Sequence, residues 1–162
     1  MTDYRLSLRV YWEDTDAGGV VFFANYLKFF ERARTEWLRS LGLEQRTLRE
    51  NTGGIFVVGE TSVRYHCPAR LDDELLVTAS VQELGRASLI IVQQAFLRGG
   101  EGVQATAGPL QKAAGTSRGS ATGPHARAGA LLCEGTIRIG WVDAGSLKPA
   151  RIPPTILEAL KR

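Results

Sequence analysis

Polar and apolar residues alternate along the first stretch of the chain, over residues 4–12. One face of this stretch carries Leu6, Leu8, Val10 and Trp12, and arginine, serine and tyrosine stand between them. A period of two residues is typical of a β-strand with one buried face. The pattern therefore predicts a first strand that ends at Trp12.

Two aspartates and two glycines interrupt this alternation, at Asp14, Asp16, Gly18 and Gly19. Aspartate side chains accept hydrogen bonds from nearby backbone amides, and glycine adopts backbone angles that other residues disfavour. We therefore expect a turn here, between the first strand and the next element.

A helical period begins soon after this turn. Asn25 is a suitable N-cap residue, and Gly42 occupies the position where a helix C′ glycine is expected. These limits predict a helix over residues 25–41, about 25 Å long. Its apolar stripe consists of residues spaced three and four apart, namely Tyr26, Phe30, Ala33, Trp37 and Leu41.

One charged residue falls inside the apolar arc of this helix. At about 100° per residue, Arg34 projects between Leu27 and Leu41 rather than toward the polar face. A buried guanidinium needs a carboxylate partner, a ligand or a route to water. We interpret Arg34 as one member of a structural ion pair.

Four further stretches have the composition of strands, with β-branched residues or alternating apolar positions. Short connections between them favour antiparallel neighbours. A short C-terminal helix follows three prolines, and we interpret it as a packing arm. We therefore expect one α+β domain over residues 1–162, in which a sheet wraps the long helix. The strands are predicted at 55–67, 75–83, 87–97 and 131–142.

The segment 99–130 differs from the rest of the chain, because eight glycines and eight alanines occur among its 32 residues. Such a composition buries too little apolar surface to offset the entropy of ordering the chain. We predict an insertion between two strands of a hairpin. A functional lid and a segment introduced by a cloning or reading-frame error both fit this composition.

The overall composition indicates an ordinary soluble globular chain, with 44% hydrophobic and 23% charged residues. A net charge of +3 suits an anionic ligand as well as nucleic acid. Cys67 and Cys133 lie far apart in sequence and lack zinc-binding spacing. Since no signal peptide and no apolar span of about 18 residues occurs, we expect a cytoplasmic protein without stable membrane insertion.

Asp14 and Asp16 have two interpretations. Both are suited to form a turn ahead of Gly18, which requires no function. They also lie just before a helix, whose free N-terminal amides suit an oxyanion. A carboxylate held near such amides can act as a nucleophile or as a general base on water. The second interpretation favours acyl hydrolysis.

Other kinds of site have less support. His66 lies in a strand beside Cys67, and His125 lies in the glycine-rich segment, so no histidine-based relay is indicated. The dinucleotide-binding and nucleoside triphosphate-binding glycine motifs are absent from the sequence. We interpret His66 as structural.

Three stretches carry a family resemblance: RVYWEDTDAGGVVFFANYLKFFERARTEWLR, VRYHCPARLDDEL and DAGSLKPARIP. They are similar to the YbgC-like branch of the 4-hydroxybenzoyl-CoA thioesterase family, whose members are often encoded beside the Tol-Pal system. The resemblance covers nearly everything except residues 99–130. It implies a hot-dog fold, with an antiparallel sheet wrapped around one long central helix. It also implies dimers that join two sheets, frequent tetramers, and active sites at the dimer interface.

The resemblance assigns roles to particular positions. Asp16 matches the catalytic carboxylate of the family, which leaves Asp14 as a turn residue. The backbone amides of Phe22 and Phe23 match the segment that polarises the thioester carbonyl. The relatives commonly have Tyr-His where this chain has Phe22 and Phe23, so a phenol and an imidazole are absent here.

These features predict an acyl-CoA thioesterase that needs no metal or redox cofactor. We expect acyl-CoA as substrate, acyl carrier protein as a further partner, a homodimer or homotetramer, and no nucleic acid. Arg64, Arg70 and Arg86 are candidates to contact the phosphates of the substrate. The alternative is a non-catalytic module that binds acyl-CoA or acyl carrier protein, which the missing Tyr-His pair motivates.

Overall fold

A five-stranded antiparallel sheet and one long helix form the body of the protein in the computed structural model, which describes residues 3–99 and 128–162. The strand order is β1-β3-β4-β5-β2. The strands are β1 Tyr4–Arg9, β2 Gly54–Tyr65, β3 Glu74–Leu84, β4 Ser88–Leu97 and β5 Leu131–Asp143. The helices are α1 Asn25–Ser40, α2 Gln45–Thr52 and α3 Pro154–Leu160.

The core lies between α1 and one face of the sheet. α1 contributes Phe29, Phe30, Ala33 and Leu38, each at most 2% exposed, and packs on β1, β3 and β4. Every second residue of β3 is buried from Leu75 to Val81, as the alternating pattern predicts. Burial of these apolar side chains supplies the main driving force for the fold. The predicted α+β arrangement, with a sheet around one long helix, is confirmed.

The start of the chain departs from prediction. β1 ends at Arg9, and residues Trp12–Asp14 form a 3₁₀ turn. Trp12, predicted on the buried face, is 82% exposed. The Tyr11 N–H donates a hydrogen bond of 2.8 Å to the Asp14 carboxylate instead of pairing with a strand. This local bond turns the chain before the alternating pattern is complete.

One prediction about α1 is wrong, and one helix was not predicted. Ala24 is the N-cap residue of α1, and Asn25 lies inside the helix with its side chain directed to Asp14. The helix α2 was not predicted, because all its residues are at least partly exposed and it has little apolar periodicity. The C-terminal end of α1 is as predicted, since Gly42 has a φ of 77°.

The predicted insertion at 99–130 lies mostly outside the described residues, and so does the lid hypothesis attached to it. The flanking backbone is described. The Leu97 N–H donates to the Ala130 carbonyl at 2.9 Å, and the Gly129 N–H donates to the Leu97 carbonyl at 2.7 Å. β4 and β5 therefore pair directly up to both ends of this segment.

A buried polar contact joins α1 to the middle of the sheet. Gln93 on β4 is fully buried, and its amide donates to the Phe30 and Thr78 carbonyls at 3.0 and 3.2 Å. Its side-chain oxygen accepts a 2.8 Å hydrogen bond from Arg34, which also forms an ion pair with Glu31. The expectation that Arg34 has a carboxylate partner is confirmed.

Within residues 3–99 and 128–162, no helix is both long enough and apolar enough to cross a membrane.

The first prediction concerns Gly54, at the start of β2. A Cβ atom at this position would lie 2.2 Å from the ring of Trp141, which is 3% exposed. We expect Gly54→Ala to lower the free energy of unfolding by about 1–3 kcal/mol, because a buried ring would have to move. Urea denaturation measures this change. Gly59→Ala in the same strand has room, with its nearest atom at 3.9 Å, and is the matched control. Equal effects of the two substitutions would contradict the prediction.

The second prediction concerns the Gln93–Arg34 contact. Gln93→Leu leaves the Arg34 guanidinium and two carbonyls without their buried partner, so we expect a loss of about 2–3 kcal/mol. Arg34→Met combined with Gln93→Leu also removes the guanidinium that has lost its buried partner, and it should recover part of that loss. A double-mutant cycle followed by urea denaturation measures the coupling. Strictly additive effects would show that the two side chains act independently.

Candidate active site

A buried carboxylate fixes the turn that precedes α1. Asp14 is 3% exposed, and its two carboxylate oxygens accept hydrogen bonds from the Tyr11 N–H at 2.8 Å and from the Asn25 side-chain amide at 2.9 Å. The Asp14 carbonyl also accepts the Phe22 N–H at 2.9 Å. Both carboxylate oxygens and the carbonyl of Asp14 thus have hydrogen-bond donors from the protein itself. Asp14 therefore has the structural role that its turn-forming character suggests.

Asp16 lies in a small hairpin that follows Asp14. We call the hydrogen bonds of Asp14 to Tyr11, Asn25 and Phe22 the Asp14 clamp, and this clamp holds the base of the hairpin. Thr15 and Val21 pair across the hairpin, and the Asp16 N–H donates to the Val20 carbonyl at 2.9 Å. The side chain is exposed, and one carboxylate oxygen accepts the Gly18 N–H at 2.8 Å. The other oxygen has no hydrogen-bond donor among the described residues. Asp16 thus presents a partly free carboxylate to solvent.

The two predicted oxyanion amides differ in availability. The Phe22 N–H is occupied by the Asp14 carbonyl, as described above. The Phe23 N–H has no acceptor within residues 3–99 and 128–162, and it lies just before the N-terminus of α1. A free amide next to a helix N-terminus is suited to stabilise negative charge. Of the two predicted residues, Phe23 therefore has the amide that a ligand can use.

A cleft of about 250 Å³ opens beside Phe23. We call it the aromatic cleft. Phe23 is 62% exposed, and its ring lies 6.3 Å from that of Tyr65 in an edge-to-face arrangement, while the Tyr26 ring lies 5.7 Å from Tyr65. The cleft is lined by Val21, Phe23, Tyr26, Tyr65, His66, Cys67 and Pro68.

Both tyrosine hydroxyls of the aromatic cleft are bonded to backbone. The Tyr65 hydroxyl donates to the Phe23 carbonyl at 2.8 Å, and the Tyr26 hydroxyl accepts the Ala69 N–H at 3.1 Å. Burial raises the pKa of Tyr26 to about 12, and it also raises the pKa of Tyr65. Both phenols are therefore neutral at neutral pH.

The two cysteines and His66 lie at the same end of the sheet. Cys133 is buried, which raises the pKa of its thiol to about 12 and keeps it protonated. Cys67 is partly exposed and lines the aromatic cleft. His66 lines it too, and its Nε2 atom lies 3.1 Å from a Glu134 carboxylate oxygen. This partner fits the structural role expected of His66, but the position of His66 in the cleft was not foreseen.

The three candidate phosphate-binding arginines lie apart in one protomer. Arg64 is in β2 beside a groove on the outer face of the sheet, and Arg70 is paired through its backbone with Val20 of the hairpin. Arg86 follows β3 at its far end, about 30 Å along the strand from Arg70. One chain therefore does not gather all three around a single phosphate group. Of these three arginines, Arg70 lies closest to the hairpin of Asp16, because its backbone pairs with Val20 of that hairpin.

The part of the chain that the structure describes contains no group of three or more His, Cys, Asp or Glu side chains placed to hold a metal ion.

Tyr65, His66 and Cys67 were not predicted as part of the site. They lie about forty residues after Phe23 in sequence, and only the antiparallel path of β2 brings them to the start of α1. The run of residues Tyr65, His66, Cys67 and Pro68 at the end of a strand was the available signal. An aromatic residue at a strand end does not by itself indicate what it faces.

Comparison with known proteins places this geometry in a family. The model of the thioesterase-like superfamily matches residues 10–160. An acyl-CoA thioester hydrolase YbgC of Escherichia coli O6:H1 is 45% identical over 161 residues, which cover 99% of this chain and 98% of the relative. The acyl-CoA thioesterase YbgC of Haemophilus influenzae is 35% identical over 156 residues, 96% and 93% of the two chains.

A solved structure supports the fold. The crystal structure of a 1,4-dihydroxy-2-naphthoyl-CoA thioesterase from Synechocystis superposes with a TM-score of 0.75 at 18% identity, over 99% of this chain and 96% of that one. The predicted hot-dog architecture is thereby confirmed. From the family model and the two similar sequences together, the chain belongs to the thioesterase-like superfamily, in its YbgC branch.

Proposed function

We propose that the protein is an acyl-CoA thioesterase, which hydrolyses acyl-CoA thioesters to free acid and CoA. One observation carries this proposal. The exposed carboxylate of Asp16 lies on a short hairpin, and the free N–H of Phe23 lies on the continuation of that hairpin, at the N-terminus of α1 and beside a largely apolar cleft. The names of the YbgC relatives support the same reaction.

The chemistry follows from these two groups. The thioester carbonyl oxygen accepts the Phe23 N–H, which stabilises the negative charge that develops on it. The Asp16 carboxylate either takes a proton from a water that attacks the carbonyl carbon, or attacks that carbon itself. On both routes the tetrahedral intermediate collapses, the C–S bond breaks and CoA leaves as a thiolate. The water route gives the free acid directly, whereas the direct attack gives an anhydride with Asp16, which water then hydrolyses to the free acid and the Asp16 carboxylate. Both routes use only these residues and water.

The active protein is, in this proposal, a homodimer or a homotetramer of such dimers. β2 is an edge strand of 12 residues that pairs only with β5 among the described strands, and most of its residues from Val58 to Tyr65 are exposed. A long edge with free backbone groups is suited to pair with another strand. Pairing of two β2 edges would join two sheets, and it would place the strand end that carries Tyr65 near the partner's surface.

The proposal also includes a cytoplasmic location and, besides acyl-CoA, acyl carrier protein as a carrier of the acyl group. The aromatic cleft lies next to Phe23, where an acyl group would be held. A contact with the acyl group is the same for CoA and for acyl carrier protein, so it does not distinguish the two carriers. The alternative of a non-catalytic binding module is not favoured, since the YbgC relatives are named as a thioesterase and a thioester hydrolase. It would show itself as binding of acyl-CoA without turnover across a broad panel.

The third prediction tests Asp16. Asp16→Asn removes the base or nucleophile while keeping the shape of the side chain and an oxygen for the Gly18 N–H. We expect kcat for the best acyl-CoA substrate to fall roughly 10³-fold. Thiol release, followed with a thiol-reactive dye, measures the rate, and circular dichroism with urea denaturation checks the fold.

The control for Asp16 is Glu13→Gln. Glu13 is exposed and lies in the neighbouring 3₁₀ turn, so the same loss of charge there should change kcat less than twofold. An Asp16→Asn protein with full turnover would rule out the mechanism. Loss of activity in both variants would indicate a general electrostatic effect instead of a catalytic carboxylate.

The fourth prediction tests the β2 edge. Sedimentation equilibrium should give the mass of two or four protomers of 17.7 kDa. Ser62→Asp adds a negative charge in the exposed second half of β2, and in a symmetric strand pair the charges of both copies repel each other. We expect the dissociation constant to rise about tenfold. Ser7→Asp on the opposite edge strand β1, where Arg98 contacts Ser7 at 2.9 Å, is the control. A monomeric wild type would refute the dimer.

A further inference from the structure

The peptide group between Phe22 and Phe23 carries the N–H that this site offers to a ligand. Its carbonyl, on Phe22, accepts a hydrogen bond from the Asn25 N–H at 2.8 Å. A peptide group is planar, so the Phe23 N–H projects from the opposite side of the same plane. The start of α1 therefore holds this amide from one side.

The next peptide group, between Phe23 and Ala24, is held by a different element. Its carbonyl, on Phe23, accepts a hydrogen bond of 2.8 Å from the Tyr65 hydroxyl of β2. No backbone N–H of residues 3–99 and 128–162 donates to that carbonyl. Between its two planar peptide groups, Phe23 has the dihedral angles φ and ψ free to rotate. Tyr65 restrains both angles from the side of the sheet, because rotation about either one would move the Phe23 carbonyl away from the hydroxyl.

Aromatic packing supports the ring that carries this hydroxyl. The Tyr65 ring lies 5.7 Å from the ring of Tyr26, which is 2% exposed, and 6.3 Å from the ring of Phe23, edge to face in both contacts. The Tyr26 hydroxyl accepts the Ala69 N–H, and the Ala69 carbonyl accepts the Val21 N–H at 2.8 Å. The ring of Tyr65 is therefore supported by residues that also hold the hairpin before α1.

Direction decides how much an oxyanion donor contributes. The negative charge on a thioester oxygen is larger in the transition state than in the bound substrate, so a well-directed N–H lowers the barrier more than it tightens binding. A hydrogen bond weakens as its angle departs from linear, and a rotation at Phe23 would tilt the N–H away from the oxygen. The hydrogen bonds to the Phe22 and Phe23 carbonyls limit that rotation.

We propose that Tyr65 is a positioning residue for the thioesterase reaction, whose hydroxyl binds the Phe23 carbonyl and so keeps the Phe23 N–H directed at the thioester oxygen. Tyr65 acts through the backbone and touches no reacting atom. This role rests on the proposed function and adds a residue of β2 to the turn and the helix start. The neutral phenol is the form that donates, and burial raises its pKa, so the donor is present at neutral pH.

The first test removes the hydroxyl and keeps the ring. In Tyr65→Phe we expect kcat to fall about tenfold while KM stays within about twofold, because the lost stabilisation belongs to the transition state. The substrate is whichever of acetyl-CoA, butanoyl-CoA and benzoyl-CoA the wild type hydrolyses with the highest kcat/KM. Thiol release measures the rates, and circular dichroism with urea denaturation checks the fold.

The control is Tyr4→Phe, which removes a hydroxyl from a partly buried tyrosine that packs on the core from β1. Its kcat should stay within about twofold of the wild type. An unchanged kcat in Tyr65→Phe would overturn the positioning role. So would a raised KM at unchanged kcat, which would show that Tyr65 contributes only to substrate binding.

The second test observes the thioester carbonyl directly. Infrared difference spectra are recorded for benzoyl-CoA, labelled with ¹³C at its carbonyl, bound to Asp16→Asn and to Asp16→Asn combined with Tyr65→Phe. A hydrogen bond from the Phe23 N–H should lower the carbonyl stretching frequency in Asp16→Asn relative to the free compound. In the double variant the frequency should return most of the way to the free value, because the N–H is no longer held in place.

The two tests together separate failure of this inference from failure of the proposed function. If the wild type hydrolyses none of the compounds, but the carbonyl frequency is lowered and returns in the double variant, the positioning role stands and the thioesterase function fails. If the wild type hydrolyses acyl-CoA, but Tyr65→Phe changes neither kcat nor the frequency, the function stands and the positioning role fails. An equally lowered frequency in both variants, or no lowering in either, would also overturn the positioning role.

Discussion

The buried carboxylate of Asp14 is the constraint on which the candidate site depends. It accepts one hydrogen bond from the chain before the turn, at Tyr11, and one from α1, at Asn25. A carboxylate at 3% exposure is costly without such partners, so the bonds hold the two ends of the turn in one arrangement. In that arrangement Asp16 lies outside the Asp14 clamp. Phe23 lies against the end of β2, where its carbonyl accepts a hydrogen bond from Tyr65.

A second polar contact stabilises the platform behind the site. Gln93 and Arg34 meet where α1 crosses β4, inside an otherwise apolar interface. Apolar packing alone tolerates small shifts of a helix along a sheet, whereas hydrogen bonds between buried groups fit one register. The helix start is therefore held at a fixed position relative to the strand ends. The aromatic cleft depends on that position, because its two walls come from α1 and β2.

Exposed aromatic side chains lie around the turn that precedes α1. Phe22 and Phe23 are 47% and 62% exposed in the protomer, together with Trp12 at 82%. Exposed aromatic surface of this extent is suited to be covered by substrate or by a second copy of the chain. The end of β2 and the aromatic cleft lie on neighbouring parts of that surface.

Local patterns were sufficient to predict the long helix, most of the strands and a turn around Asp16, because hydrophobic periodicity and turn residues act over short distances along the chain. They also indicated that Arg34 needs a partner, although not that Gln93 would share it. Three outcomes depend on the folded chain. Trp12 leaves the sheet, Asn25 binds Asp14 instead of capping the helix, and Phe23 rather than Phe22 has a free amide. Each of these outcomes depends on hydrogen bonds between residues that meet only after the chain has folded. The aromatic cleft also depends on the folded chain, because no local sequence pattern indicates that the end of β2 packs beside the start of α1.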